Sequence, residues 1–330
     1  MPSLFSESST LRQAQSIAPN LIALAKGISC NFIDARITTK DYVNGLAAKT
    51  RVQGLDKEAA NKFLLSTCLR HEIYDCKNHQ QYLEPFFYVR GFGCIRRLLS
   101  ILVGLQSEII GEREILNQTV QSINRSREAD HLDESVFRGL QELVSMSKRI
   151  RANSGVNSDE NYSTIAADLF LETLATRTDQ TVAIVGGGYM AEKFFRALLK
   201  TQSLGIAKIF WINRSTSRIR NHILDLSHLL DFDIEVLDLD TGRHVLREAS
   251  AIFCALSNSP NYYGNATQKD GTLVVDVSYP QVFPEEKNVE LVNISNTDFS
   301  DLVKNPVSMS SIVLANKEID AVVSLLESQA

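Results

Sequence analysis

The sequence predicts an α/β protein of several domains: an α+β unit, then a doubly wound parallel sheet, then a short C-terminal helix. Three observations carry this. From residue 163 onward, short apolar runs alternate with helical patterns, as βαβ units require. Within that region Thr181–Val185 runs straight into Gly186-Gly187-Gly188 and then a helix to about Lys200. Upstream, residues 94–151 carry Ile95, Leu98, Leu99, Leu102 and Leu105, then Ile115, Val120 and Ile123, at spacings of three and four.

In chain order, residues 1–20 are polar and rich in Ser and Gln, which predicts a loose extension or one short helix. Residues 21–155 form the α+β unit. Its apolar runs are Leu21–Leu24, Phe63–Ser66 and Pro85–Val89, the last ahead of a Gly-x-Gly turn at Gly91–Gly93, with a helical pattern at 38–48. The polar stretch 152–162 marks the best boundary. Residues 156–305 form the second domain, with a helix at 163–178 and further strands at Lys208–Ile212, Ile234–Leu237, Ala251–Ala255 and Thr272–Val277. Residues 306–330 end in an amphipathic helix whose apolar side carries Ile312, Ile319, Val322, Val323 and Leu326.

Composition removes several function classes. No apolar run approaches 18 residues, and the N-terminus lacks a basic segment followed by an apolar one. The five cysteines (Cys30, Cys68, Cys76, Cys94, Cys254) are odd in number and show no CxxC spacing, against a zinc site or a disulfide framework. A cytoplasmic protein with free thiols is the expectation. The net charge of −5 means that any nucleic acid must be met by local patches. Arg138 with Lys148, Arg149 and Arg151, and Arg96 with Arg97, are such patches or else solvated helix faces.

Gly186-Gly187-Gly188-Tyr189-Met190-Ala191 has the context of a dinucleotide loop, with a strand before and a helix after. Gly186 permits the tight turn, Gly188 lets backbone approach a pyrophosphate, and Ala191 stands at the third glycine position. An NAD site wants an acid at the end of the second strand. Here Asn213-Arg214-Ser215 stands there, so Arg214 would pair with a 2′-phosphate and Asn213 and Ser215 would donate to it. The expected cofactor is NADPH.

Residues 64–74, Leu-Leu-Ser-Thr-Cys-Leu-Arg-His-Glu-Ile-Tyr, place a thiol between two extended runs and beside an arginine. Cys68 is either a small core hydrophobe or a nucleophile drawn toward thiolate, and Arg70 is able to grip a carboxylate by two parallel hydrogen bonds. A poised thiol and an NADPH loop together suggest covalent reduction of an acyl group.

Over residues 60–300 the chain resembles the glutamyl-tRNA reductase family, with the motifs in order. Ser66-Thr67-Cys68-Leu69-Arg70 with Glu72 and Tyr74 is similar to its nucleophile motif. Gly104-Leu105-Gln106-Ser107 through Gly111-Glu112 to Gln118 is similar to its next segment. Lys148–Arg151 with Ser163, the two cofactor signatures, and Asp276 with Pro280 follow. The resemblance implies a ferredoxin-like catalytic domain, then a Rossmann-type NADP-binding domain. It implies that Cys68 attacks the ester of glutamyl-tRNA and that the resulting thioester is reduced to glutamate-1-semialdehyde, opening tetrapyrrole synthesis, with an aminomutase to collect the aldehyde. It also implies substrate contacts from Thr67, Arg70, Ser107 and Gln118, and either a substrate or a loop-holding role for Glu112.

Departures from the family pattern are specific. Leu69 stands for an asparagine, and Gln281 for an arginine. Cys30 stands about where an N-terminal histidine would be, with Arg36 for the arginine that follows. Arg97 stands for a histidine near the thiol and is expected to act on Cys68 in its place. Only a stub of the family's helical dimerisation domain is expected within residues 306–330, so the resemblance does not carry the oligomeric state. Two other readings stay open: a paralogue that reduces another aminoacyl-tRNA or a carrier-bound acyl thioester, and an NADPH- and tRNA-binding regulatory protein.

Overall fold

A computed structural model describes residues 9–35, 38, 42–43, 46, 61–67, 69–77, 83–175, 178–200, 205–226, 232–256, 268–278, 281–294 and 296–330. Cys68, Arg36, Pro280 and most of the expected helix at 38–48 lie outside the described residues.

The chain divides into two compact units, residues 1–159 with 304–330, and residues 160–303. In the first, β1 (Ser29–Asp34), β2 (Lys62–Ser66), β3 (Arg70–Asp75) and β4 (Phe87–Arg90) form an antiparallel sheet of order β2-β3-β1-β4. This is the ferredoxin-like strand order. Helices α1 (Ser9–Gly27), α2 (Gly91–Val103), α3 (Glu114–Glu128) and α4 (Glu134–Ser154) precede and follow it. Alternation along β3 sends Arg70, Glu72 and Tyr74 to the helix-covered face, where Tyr74 stacks on Phe63 at 4.4 Å. Ile73 goes to the other face, into a smaller cluster with Ile33, Val43 and Phe86.

Residues 9–27 are one helix rather than a polar extension, and Leu21–Leu24 belongs to it. Leu21, Leu24 and Ala25 are buried against the helical core, which is what holds the helix in place. Helix α9 (Met309–Ser328) is likewise no separate appendage. Ala315, Ile319, Val322 and Leu326 are fully buried in that same core. The glycines at 91 and 93 open α2 instead of making a turn. Strand β1 has no counterpart in the expected elements, because Ser29, Asn31 and Asp34 are polar yet buried.

The second unit is a six-stranded parallel sheet of order β10-β9-β8-β5-β6-β7: β5 (Gln180–Val185), β6 (Ile206–Ile212), β7 (Asp233–Leu237), β8 (Ala251–Cys254), β9 (Thr272–Asp276) and β10 (Val289–Asn293). Helices α5 (Tyr162–Leu174), α6 (Tyr189–Leu199), α7 (Thr216–Leu226) and α8 (Leu239–Val245) intervene. This is the doubly wound Rossmann order, whose direction of winding switches between β5 and β8. Strand β10 goes beyond the expected set. No helix among the described residues is long and apolar enough to cross a membrane.

Candidate functional site

In the first unit, chemistry gathers on the helix-covered face of the sheet. The connection from β2 to β3 is tight: Thr67 N donates to Arg70 O (2.8 Å), and Leu69 N donates to Thr67 Oγ1 (3.2 Å). Ala35 N donates to Leu69 O (2.8 Å), tying this connection to the end of β1. The residues flanking Cys68 in sequence are thus fixed on both sides.

Arg70 follows on β3 and is 2% exposed. Its Nη2 donates to the carbonyl of Gln106, while its Nε and Nη1, both buried, have no hydrogen-bond partner among the described residues. Ser107, the next residue after that carbonyl, is buried with its Oγ equally unmatched. The structure therefore brings Thr67, Arg70 and Ser107 into one neighbourhood through the contact of Arg70 with the 104–111 loop. Glu112 is buried at the end of that loop, and Gln118 is exposed on α3.

Arg97, expected to act on the thiol, is committed elsewhere. Its Nη2 lies 2.6 Å from Glu72 Oε1 and 3.5 Å from Asp34 Oδ2, and its guanidinium sits 3.5 Å from the centre of the Phe32 ring. The other oxygen of Glu72 accepts from Tyr74 OH (2.6 Å). Burial is the largest single effect and works against the charged guanidinium, but the Glu72 carboxylate together with Tyr74 and Cys30 outweighs it and raises the Arg97 pKa above its ordinary value. A group so held is a fixed cation and not an acid or base near neutral pH. Its partner Arg96 pairs with Asp320 on α9 (2.5 Å), so the pair of arginines is no open patch.

Arg151 is also not part of a basic surface. It is 7% exposed, and its guanidinium donates only to neutral oxygens: Val103 O (2.7 Å), Gly111 O (2.6 Å), Glu112 O (3.2 Å) and Asn157 Oδ1 (3.5 Å). The sequence did hold a signal for this. Leu140, Leu143, Ser147 and Arg151 recur at spacings of three and four, which puts Arg151 on the apolar face of α4.

In the second unit, the Gly186–Ala191 turn lies at the switch point, between β5 and α6. Gly186 has φ +118°, and a Cβ there would overlap the Ala255 carbonyl oxygen at the end of β8. A Cβ on Gly187 would overlap the Asn213 side chain. At Gly188 a Cβ would meet nothing within 4 Å, and no side chain caps α6. Open space over an uncapped helix N-terminus is what a pyrophosphate needs, so these residues fit a dinucleotide. Trp211 Nε1 holds the turn by donating to Gly186 O (2.7 Å), Ser163 Oγ donates to Met190 O (2.9 Å), and Ala191 is fully buried. Tyr189 is half exposed. Asn213 Nδ2 donates to Ser215 O (3.1 Å), and Arg214 and Ser215 project into solvent at the end of β6. Arg218, by contrast, pairs with Glu192 (2.9 Å). Asp276, at the end of β9, accepts from the backbone N–H groups of Ser278, Val282 and Phe283 (2.7–3.0 Å).

A family model described as "Glutamyl-tRNAGlu reductase, N-terminal domain" matches residues 27–154. Residues 27–154 are thus similar to the N-terminal domain of glutamyl-tRNA reductases. A second model, "Shikimate / quinate 5-dehydrogenase", matches residues 168–304 and places the second unit among nicotinamide-dependent dehydrogenase domains. Curated glutamyl-tRNA reductases are similar along much of the chain. That of Pyrobaculum aerophilum is 24% identical over 71% of this chain and 60% of its own length. That of Methanopyrus kandleri is 25% identical over 81% and 67%. That of Sulfolobus acidocaldarius is 26% identical over 88% and 69%. The chain thus spans about two thirds of the length of these glutamyl-tRNA reductases. The solved structure of the Methanopyrus kandleri enzyme covers 92% of this chain and 80% of its own, at 18% identity and a TM-score of 0.45.

Proposed function

We propose that this protein reduces the glutamyl ester of glutamyl-tRNA to glutamate-1-semialdehyde through a Cys68 thioester, with NADPH as reductant. The observation that carries this reading is Arg70. A guanidinium 98% removed from solvent, with two N–H groups unmatched among the described residues, carries a desolvation cost that an anion would offset. The side-chain carboxylate of a glutamyl group is such an anion, and the unmatched Nε–H and Nη1–H groups are charged donors for its oxygens. Ser107 Oγ and Thr67 offer further polar contacts on either side.

With the acyl group so held, Cys68 Sγ attacks the ester carbonyl carbon. The tetrahedral adduct expels the ribose oxygen of the tRNA, which takes up a proton, and a thioester remains. Gly186–Ala191 would hold the pyrophosphate of the cofactor, and Arg214 with Asn213 and Ser215 its 2′-phosphate. Bound NADPH supplies the hydride for the second half of the reaction. When the carbon–sulfur bond then breaks, Cys68 leaves as thiolate and the aldehyde is free for an aminomutase.

The test is direct. Purified protein, NADPH and glutamyl-tRNA should yield the semialdehyde, and Cys68→Ser should yield none. Turnover that survives Cys68→Ser would sink the mechanism. Turnover with other aminoacyl-tRNAs or acyl-carrier thioesters, and none with glutamyl-tRNA, would replace the substrate.

A further inference from the structure

The sequence marks Lys148–Arg151 as a cationic segment, yet the last of these arginines points into the protein. Its fork bridges two pieces of chain. On one side is Val103 O, at the C-terminus of α2, where unpaired carbonyls and the helix dipole favour a cation. On the other side are Gly111 O and Glu112 O. Between these pieces lies the 104–111 loop, whose base is closed by Gly111 N donating to Gly104 O (3.1 Å). Gly104 (φ +85°) and Gly111 (φ +81°) give the two ends their sharp turns. Asn157 Oδ1 receives both Arg151 Nη2 and Arg113 Nε (3.0 Å), and Ser158 N donates to Gly111 O (2.9 Å), so the far stem is held from a second side. At the tip of the same loop, the Gln106 carbonyl takes Arg70 Nη2, and Ser107 follows.

We infer that Arg151 is a positioning residue for the acyl site: it ties both stems of the 104–111 loop, and the loop's Gln106 carbonyl fixes which edge of Arg70 faces the substrate. The guanidinium of Arg70 has two edges that can bind a carboxylate. Both edges share Nη2, so a carbonyl on one of its two hydrogens blocks one edge and leaves the other available. A loop released at its stems no longer makes that choice, and Ser107 moves with it. Lysine cannot take over the role, because a single ammonium on a flexible stem does not span two stems with fixed in-plane donors. The acyl-site clause rests on the function proposed above, whereas the tie itself does not.

The experiment compares the full chain with Arg151→Lys and Arg151→Met by hydrogen exchange and by steady-state kinetics. Amides of residues 104–112 should exchange at least tenfold faster in both variants, with the second unit unchanged. The KM for glutamyl-tRNA should rise about tenfold while kcat stays within about threefold, since a displaced Arg70 weakens binding of the acyl group without touching Cys68. A merely structural role would lower the active fraction, and so kcat, at constant KM. If Arg151→Met does not fold, the charge-conserving Arg151→Lys carries the test. Unchanged exchange of the loop in a folded variant overturns the inference, as does a loosened loop with KM unaltered. If the wild-type chain does not reduce glutamyl-tRNA, the function fails on its own and loop exchange still decides the tie.

Discussion

Glu72 and Arg97 stand 25 residues apart in the chain and 2.6 Å apart in the fold, each with its charge inside the first unit. Breaking one half of a buried pair leaves the other uncompensated, at a cost of about 3–5 kcal/mol. Arg97→Met should therefore destabilise the first unit by that order, and Glu72→Gln combined with Arg97→Met should lose less than the sum of the two. Trp211, the chain's single tryptophan, reports on the second unit, so urea unfolding followed by helical circular dichroism alongside tryptophan fluorescence separates the two units.

Arg70→Lys keeps a charge but removes the planar edge. Hydrogen bonds to charged groups are worth about 1.5–3 kcal/mol, so kcat/KM for glutamyl-tRNA should fall roughly ten- to hundredfold. Ser107→Ala should cost less, since it removes one neutral donor. Equal rates for wild type and Arg70→Lys would remove Arg70 from the acyl site.

The glycines of the nucleotide turn should behave differently. Gly186→Ala forces a Cβ onto the Ala255 carbonyl at φ +118°, and should destabilise the second unit by at least about 2 kcal/mol even without cofactor. Gly188→Ala enters open space, so melting of the free protein should be unchanged while cofactor affinity falls. Thermal melts with and without NADPH distinguish the two.

Arg214 projects into solvent at the end of β6, where no acid competes for a ribose hydroxyl. Arg214→Gln should raise the KM for NADPH about tenfold and leave that for NADH nearly unchanged. A parallel loss with both cofactors would place Arg214 outside the 2′-phosphate site.

Burial pushes the thiols of Cys30, Cys76, Cys94 and Cys254 well above their ordinary pKa. Native protein treated with iodoacetamide at pH 8 should thus stay unmodified at these four cysteines, and all five should react after denaturation. Mass spectrometry of the digested protein reads this out.

The parts of the fold visible in the sequence were those written locally. Thr181–Val185, the glycines and the helix after them are contiguous, so β5 and α6 could be read from one window. The same holds for α9, whose apolar residues recur on one face. Strand β1 was hidden because its polar Ser29, Asn31 and Asp34 are buried by neighbours far away in sequence. Helix α1 is only one of two readings the sequence allows for residues 1–20, because packing of Leu21, Leu24 and Ala25, rather than composition, holds it. In the site, the residue types at 67–70 were legible, but the partner of Arg97 was not, since nothing in a spacing of 25 residues indicates a contact. Arg151 was read by its charge, when its place in the α4 repeat already turned it inward.

Helix α9 fills a core begun by α1, α2 and α4, although residues 160–303 intervene in the chain. On the ribosome, the first unit must wait for this last piece. At about 5–20 residues per second, the 150 residues between 159 and 309 take roughly 8–30 s, during which the seat of α9 is bare. The second unit, being continuous, has no such delay. Arrested nascent chains long enough to expose residues up to 303 but not α9 should carry a folded second unit and a protease-sensitive first unit, so that the parallel sheet is complete before the first unit in every round of synthesis.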